Sequence, residues 1–385
     1  MCGLVDLRSG GEERRDRSPR RRGRPRESRY SSTVTLAPVR DADQLDWPRI
    51  EAHVRRAVPD LPPLGDVRQF TNGAANLTYL LRFGARALVL RRPPFGTIAP
   101  GAHDMKREWR VLARLWEHYW AAPRAYVFCD DASVAGAAFF VMEYRPGEVI
   151  RDAIPPAMTG HADVARRVSC ALVDAIAALH AVDPARAGLA DLGKPDGFVA
   201  RQVRGWFRRW ELAESHASAE RRAAMRAVAA RLERSLPAPQ RVSLVHNDLK
   251  LDNCAFDPAN PDRVHSIFDW DMTTLGDPLV DLGTLLNYWP DPSDPAAARR
   301  GSHEGMRTMG LPPRAEITAR YVERTGADAS AIGWYEAFAQ WKTAVVVQQL
   351  HNRWREGASA DPRHATIADT VPALAATAAR LLDTS

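Results

Sequence analysis

Between residues 244 and 282 the chain reads LVHNDLKLDNCAF…SIFDWDMTTLGDPLVDL, and no other stretch restricts its fold so tightly. A short apolar run, Leu244 and Val245, ends in His246, Asn247 and Asp248, and Asn253 follows five residues after Asp248. A second apolar run, Ile267 and Phe268, delivers Asp269, then Trp270, Asp271 and a Gly276-Asp277-Pro278 turn. Each polar cluster therefore sits at the end of a strand-like run. Phosphoryl transfer needs this inventory: one carboxylate to take a hydroxyl proton, and an amide and a second carboxylate to hold Mg²⁺ against phosphates. Asp and Asn are also ordinary turn residues, so either half alone reads equally as a surface loop. Both halves in order, each behind an apolar run, favour chemistry.

The pattern H-x-D-x-x-x-x-N followed by a strand ending in Asp is a kinase signature. In this form it resembles the aminoglycoside phosphotransferase and choline kinase-like family, closest to the kinase-like domain fused to some acyl-CoA dehydrogenases. The resemblance implies an α+β, bilobal protein-kinase-like fold. A small N-lobe would hold an antiparallel sheet plus one helix, and a larger C-lobe would be mainly helical. It implies ATP and Mg²⁺ as cofactors, Asp248 as the catalytic base, Asn253 and Asp269 as metal ligands, and Asp281 as a brace on the catalytic-loop backbone. Asn247 stands where the family usually has Gly between His and Asp.

The net charge of +6 belongs mostly to one end: residues 1–30 hold ten Arg against five acids, leaving about +1 for the rest. Residues 1–40 are Arg-, Ser-, Gly- and Pro-rich without apolar periodicity and read as a disordered Arg-rich tail. RNA contact is expected, if anywhere, through that tail, because a nucleic-acid protein normally spreads its basic residues over a folded face. Cys2, Cys129, Cys170 and Cys254 are scattered and read as reduced thiols of a cytoplasmic protein. No apolar run approaches membrane-spanning length, so no membrane partner is expected.

Residues 41–144 are expected to form the nucleotide-binding N-lobe and 145–385 the catalytic and substrate-binding C-lobe. A helix at 46–57 precedes strand-like runs at 66–71, 77–83 and 86–92, whose alternation is loose. The turn between the first two runs carries Gly73, Ala74, Ala75 and Asn76, with Thr78 beyond. Small residues there let backbone N–H groups approach phosphate, and Asn76 or Thr78 would add side-chain contacts. In the family the following strand carries a phosphate-gripping cation, often Lys. No lysine precedes Lys106 here. The role falls to Arg91 by register, with Arg92 as the alternative. In HDMKREWRVLARLWEHY (103–119), Met105, Trp109, Leu112 and Trp116 share a helical face, with Glu108 at its edge, placed to pair with Arg91.

The run 136–144 reads as a buried strand leading to the hinge. By the resemblance, Met142 would line the adenine slot and Glu143, Tyr144 and Arg145 would offer backbone. Helices are expected at 160–182, 197–212, 218–235, 314–325, 330–356 and 370–383. Lys342, Gln349 and His351 on the helix at 330–356, and the stripe Arg201, Arg204 and Arg208 on the helix at 197–212, read either as substrate contacts or as plain core and surface residues. The resemblance implies transfer of the ATP γ-phosphate to a small-molecule alcohol, and its closest branch suggests one of hydroxyacyl-CoA type or another hydrophobic alcohol. An aminoglycoside-, macrolide- or choline-type kinase and a catalytically weak nucleotide-binding module are the alternatives.

Overall fold

The turn at Gly84 and a run of β-branched and aromatic residues let the strands of residues 66–70, 77–83 and 86–92 pair as neighbours. The computed structural model describes residues 36–71, 76–95, 104–292, 294, 304–359 and 361–384. Its first half comprises β1 (Leu36–Pro38), α1 (Trp47–Ala57), β2 (Asp66–Phe70), β3 (Leu77–Phe83), β4 (Arg86–Arg92), α2 (Met105–Leu115), β5 (Ala125–Cys129), α3 (Ala132–Ala135) and β6 (Phe139–Glu143). The six strands form one antiparallel sheet in the order β1-β2-β3-β4-β6-β5. Leu36–Pro38, which composition assigns to the tail, pairs with Arg68–Phe70. Residues 1–35 of the tail lie outside the described residues.

Both faces of this sheet are covered. Tyr79, Leu81, Phe83, Leu88, Leu90, Phe139 and Val141 pack with Ile50 and Val54 of α1. Leu80, Val89, Phe140 and Met142 pack with Met105, Val111, Leu112 and Leu115 of α2. Period-two alternation is faint in the sequence because neither face meets water.

The helix α2 ends at Leu115, four residues before the expected end, and its buried stripe is Met105, Glu108, Val111, Leu112 and Leu115. Trp109 and Trp116 are only partly buried. The stripe is thus rotated from the Trp-based reading, and Glu108 lies at its centre.

The second half continues with β7 (Glu148–Val149), α4 (Val164–Ala181), α5 (Phe198–Ala213), α6 (Ala219–Arg234), β8 (Ser243–Val245), β9 (Cys254–Asp257), β10 (Asn260–Ile267), β11 (Thr274–Gly276), α7 (Leu279–Tyr288), α8 (Arg314–Thr325), α9 (Ile332–Arg355) and α10 (Val371–Asp383). The long α9 is apolar around most of its circumference and runs through the helical core, with Trp334, Phe338, Trp341 and Val345 buried. Strands β10, β9 and β7 form a second sheet, and β11 pairs with β8. Gly147 lets the chain leaving β6 pass β9, since a Cβ there would lie 2.9 Å from Ala255 Cβ and from the Phe256 carbonyl.

Candidate active site

Two antiparallel ladders set the site. Thr274 pairs with Val245 and Ile267 with Cys254, so the loops 246–253 and 268–273 hang from four neighbouring strand ends. The Phe268 N–H donates to the Asn253 carbonyl at 2.9 Å, tying one loop to the other. The buried Asp281 accepts from the backbone N–H groups of His246 and Asn247, both at 2.6 Å, and contacts His180 Nε2 at 3.1 Å. Burial pushes the Asp281 carboxyl up, but its bonds to His180 and the loop N–H hold it below the ordinary carboxylate range.

Asn247 has φ +68°, a left-handed conformation open to Gly and tolerated by Asn. Its Nδ2 donates to the Met272 carbonyl at 2.9 Å, and its own carbonyl accepts from Lys342 Nζ at 2.6 Å. The ring of His246 is buried against Trp270, with Nε2 donating to the Phe268 carbonyl at 2.8 Å. Its Nδ1 then accepts from the Asp248 N–H at 3.3 Å, as expected for a packing and hydrogen-bonding residue.

Asn253 Nδ2 donates to the Asp248 carbonyl at 2.8 Å and to its Oδ2 at 3.1 Å, which leaves the Asn253 amide oxygen to meet a cation. Asp269 is also left-handed, at φ +62°. Its Oδ1 accepts from Arg91 Nη2 at 2.6 Å, and Arg91 Nη1 donates to Glu108 Oε1 at 2.7 Å. Burial acts to lower the Arg91 pKa, but Glu108 and Asp269 outweigh it and the net shift is upward. Burial likewise pushes Asp269 up, and the Arg91 guanidinium more than reverses this, so its carboxyl sits below the ordinary value. Arg92 points to the opposite sheet face, as strand alternation requires. Its Nη1 donates to the Ala135 carbonyl at 2.8 Å, and its guanidinium lies 4.0 Å from the Phe95 ring centre. Arg91 is the arginine that faces the site.

A cavity of about 430 Å³ separates sheet from loops, and ten of the sequence-selected residues line it: Asn76, Thr78, Arg91, Met142, Glu143, Tyr144, Arg145, Asp248, Asn253 and Asp269. Glu108 sits behind Arg91, and Gly73 lies outside the described residues. The side chains of Glu143 and Arg145 engage each other at 2.9 Å, so what this corner offers a ligand is main chain.

Sequence reasoning passed over Lys250 and Asp252, which also line the cavity. Lys250 Nζ lies 3.8 Å from both Asp248 Oδ2 and Asp252 Oδ2. Burial lowers its pKa, but the two aspartates dominate, so the group stays an ammonium beside Asp248. The signal was present: a lysine two residues after the candidate base. Arg201, Arg204 and Arg208 are exposed on α5 and do not join the cavity lining.

The model of the phosphotransferase enzyme family matches residues 66–316. Acyl-CoA dehydrogenase family member 11 of Rattus norvegicus is 32% identical over 345 residues, covering 88% of this chain and 43% of that protein. The chain thus spans less than half the length of that relative. A structure from Ralstonia eutropha JMP134, provisionally assigned as an aminoglycoside phosphotransferase, is 28% identical. Its TM-score is 0.71, with 88% of this chain and 99% of that one covered. A thermostable mutant of aminoglycoside phosphotransferase APH(4)-Ia, in complex with AMP-PNP and hygromycin B, aligns with TM-score 0.55 at 13% identity over 87% and 98% of the two chains. That likeness is one of fold: a small antiparallel sheet over a larger helical body.

Proposed function

The chain belongs to the phosphotransferase enzyme family, and on that premise we propose that it moves the γ-phosphate of ATP to a hydroxyl group of a small molecule, with Mg²⁺. The observation that carries the reading is that Asp248, Asn253 and Asp269 line one cavity together with Arg91, which bonds to Asp269. Residues 41–144 then serve as the nucleotide-binding part and 145–385 as the catalytic and acceptor-binding part. The adenine lies against Val89 and Met142, paired neighbours on the cavity face of the sheet, and meets the main chain of 143–145. Asn76 and Thr78, on the cavity lining, contact the phosphates. Arg91, held by Glu108, neutralises the α- and β-phosphates with a planar, bidentate group.

The donor set fits Mg²⁺: an ionised carboxylate and an amide oxygen, both hard, with phosphate oxygens to complete the shell. Among the described residues no group of three or more His, Cys, Asp or Glu side chains is arranged to hold an ion alone. Asp269 and Asn253 would hold the metal, which when bound neutralises phosphate charge. Asp248 orients the acceptor hydroxyl and takes its proton. Most of the acceleration then comes from positioning and charge, since the phosphoryl transition state is loose.

The name of the rat relative supports a hydroxyacyl-CoA-type or other hydrophobic alcohol as acceptor, and aminoglycoside, macrolide and choline acceptors are the alternatives. A nucleotide-holding module with little turnover is the second reading, favoured by the hold of Arg91 on the Asp269 carboxylate. An ATP-consumption assay over a panel of alcohols, with mass spectrometry of the products, tests the proposal. A phosphorylated alcohol formed only with Mg²⁺ supports it. Mg-ATP binding without turnover on any acceptor moves the reading to the second, and no Mg-ATP binding removes both.

A further inference from the structure

Lys342 of α9 is buried, yet among the described residues no carboxylate lies within salt-bridge distance of its ammonium. One of its N–H groups reaches the Asn247 carbonyl, and the head also lies 5.3 Å from the centre of the Trp206 ring. The same indole carries a second cation, Arg209, whose guanidinium carbon is 4.4 Å from the ring centre. Arg209 likewise has no carboxylate partner among the described residues, and its outer end is exposed. Arg91, Lys250 and Arg314, by contrast, all have carboxylate partners.

Two like charges gathered on one ring, one of them desolvated, repel each other and carry the cost of leaving water. Trp206 repays part of this through its π face. Burial pushes the Lys342 pKa down, and Arg209 and Lys250 act in the same direction against Asp248 and Asp281. Lys342 also touches the residue just before Asp248, so this unmet positive charge stands beside the candidate base. An anion arriving there would relieve the repulsion.

We propose that Lys342 and Arg209, arrayed on Trp206, form the acceptor subsite and that they bind an oxyanion carried by the acceptor itself, a carboxylate or phosphate near the hydroxyl that is phosphorylated. The inference rests on the phosphotransferase reading and changes its acceptor: an acidic alcohol takes the place of the hydrophobic one, and cationic alcohols are disfavoured by charge. The arginine that serves is Arg209; it is exposed and outside the cavity lining like Arg201, Arg204 and Arg208, and its place on the Trp206 ring beside Lys342 sets it apart.

The test is calorimetry on the full chain saturated with Mg²⁺ and AMP-PNP, using 4-hydroxybutanoate, its neutral amide, glycerol 3-phosphate, choline and kanamycin as probes. The two acids distinguish a carboxylate from a phosphate source, and binding of either, with the amide and the cations weaker, supports the subsite. Arg209→Gln and Lys342→Met should each weaken the acid on the order of tenfold or more, as loss of a close charge contact does, with AMP-PNP affinity retained. Arg209→Gln alters an exposed side chain and so keeps the test alive if Lys342→Met does not fold. Tighter binding of choline, kanamycin or the amide than of both acids, or acid affinity unchanged in Arg209→Gln, would overturn the subsite. The phosphotransferase reading fails separately, at the nucleotide titration that comes first.

Discussion

Arg91 Nη2 and Asp269 Oδ1 meet at 2.6 Å, a contact that joins the sheet of the N-terminal half to the loop carrying the candidate metal carboxylate. The guanidinium is shared with Glu108, so one side chain ties strand, helix and loop together. Arg91→Ala should raise KM for ATP far more than Arg92→Ala does. Arg92→Ala should instead lower stability by about 1–3 kcal/mol, through lost bonds to buried carbonyls. Steady-state kinetics and urea unfolding of both variants check this, and the reverse pattern would move the phosphate role to Arg92.

Asp248→Ala should lower kcat by about 10²–10⁴, the usual worth of a general base, while nucleotide affinity is preserved. Turnover equal to the parent would remove Asp248 from the chemistry.

Asp269→Asn should abolish the Mg²⁺-dependent part of nucleotide binding, because a neutral amide is a poor replacement for an ionised ligand of a hard cation. Calorimetry with and without Mg²⁺ reads the difference. An unchanged metal dependence would place the ion elsewhere.

Asn247 is left-handed, so Asn247→Gly should alter stability by less than about 1 kcal/mol, losing only the bond to Met272 while relaxing the backbone. Asn247→Ala keeps the strain without the bond and should cost about 1–3 kcal/mol. Thermal unfolding of the pair checks the order.

Asp281 is ionised in the fold at a lower pH than in the unfolded chain. Its stabilisation is therefore fully present above the unfolded value of about 3.9, and it is lost as pH falls through the lower folded value. Asp281→Asn should cost about 2–5 kcal/mol near neutral pH, since one loop N–H loses its acceptor and a buried charge network is broken. The gap between variant and parent in urea unfolding should hold steady from about pH 8 to 5 and narrow below about pH 3. A gap that widens in acid would contradict the assignment.

The catalytic segment was legible because its polar residues are local: Asp248 and Asn253 share a loop, and Asp269 closes the next strand. Residues whose roles depend on distant packing were harder to see. Glu108 was assigned to the edge of its helix because the two tryptophans dominated the pattern, whereas packing against the sheet turns Val111 and Leu115 inward and Glu108 with them. The loose alternation of β3 and β4 became clear only once both faces were seen to be covered. Lys342 reaches the loop from a helix 95 residues later, a contact no local pattern announces. Lys250 differs in being local: it stands inside the motif, two residues after Asp248, where its charge is visible in the sequence.

The bond from Phe268 N–H to the Asn253 carbonyl has a mechanical consequence. Amide and carboxylate ride on a common chassis, braced from behind by Asp281, so they advance or retreat together. Arg91, latched to Asp269, clasps the sheet to that chassis, so a displacement of sheet from loops has to break this contact.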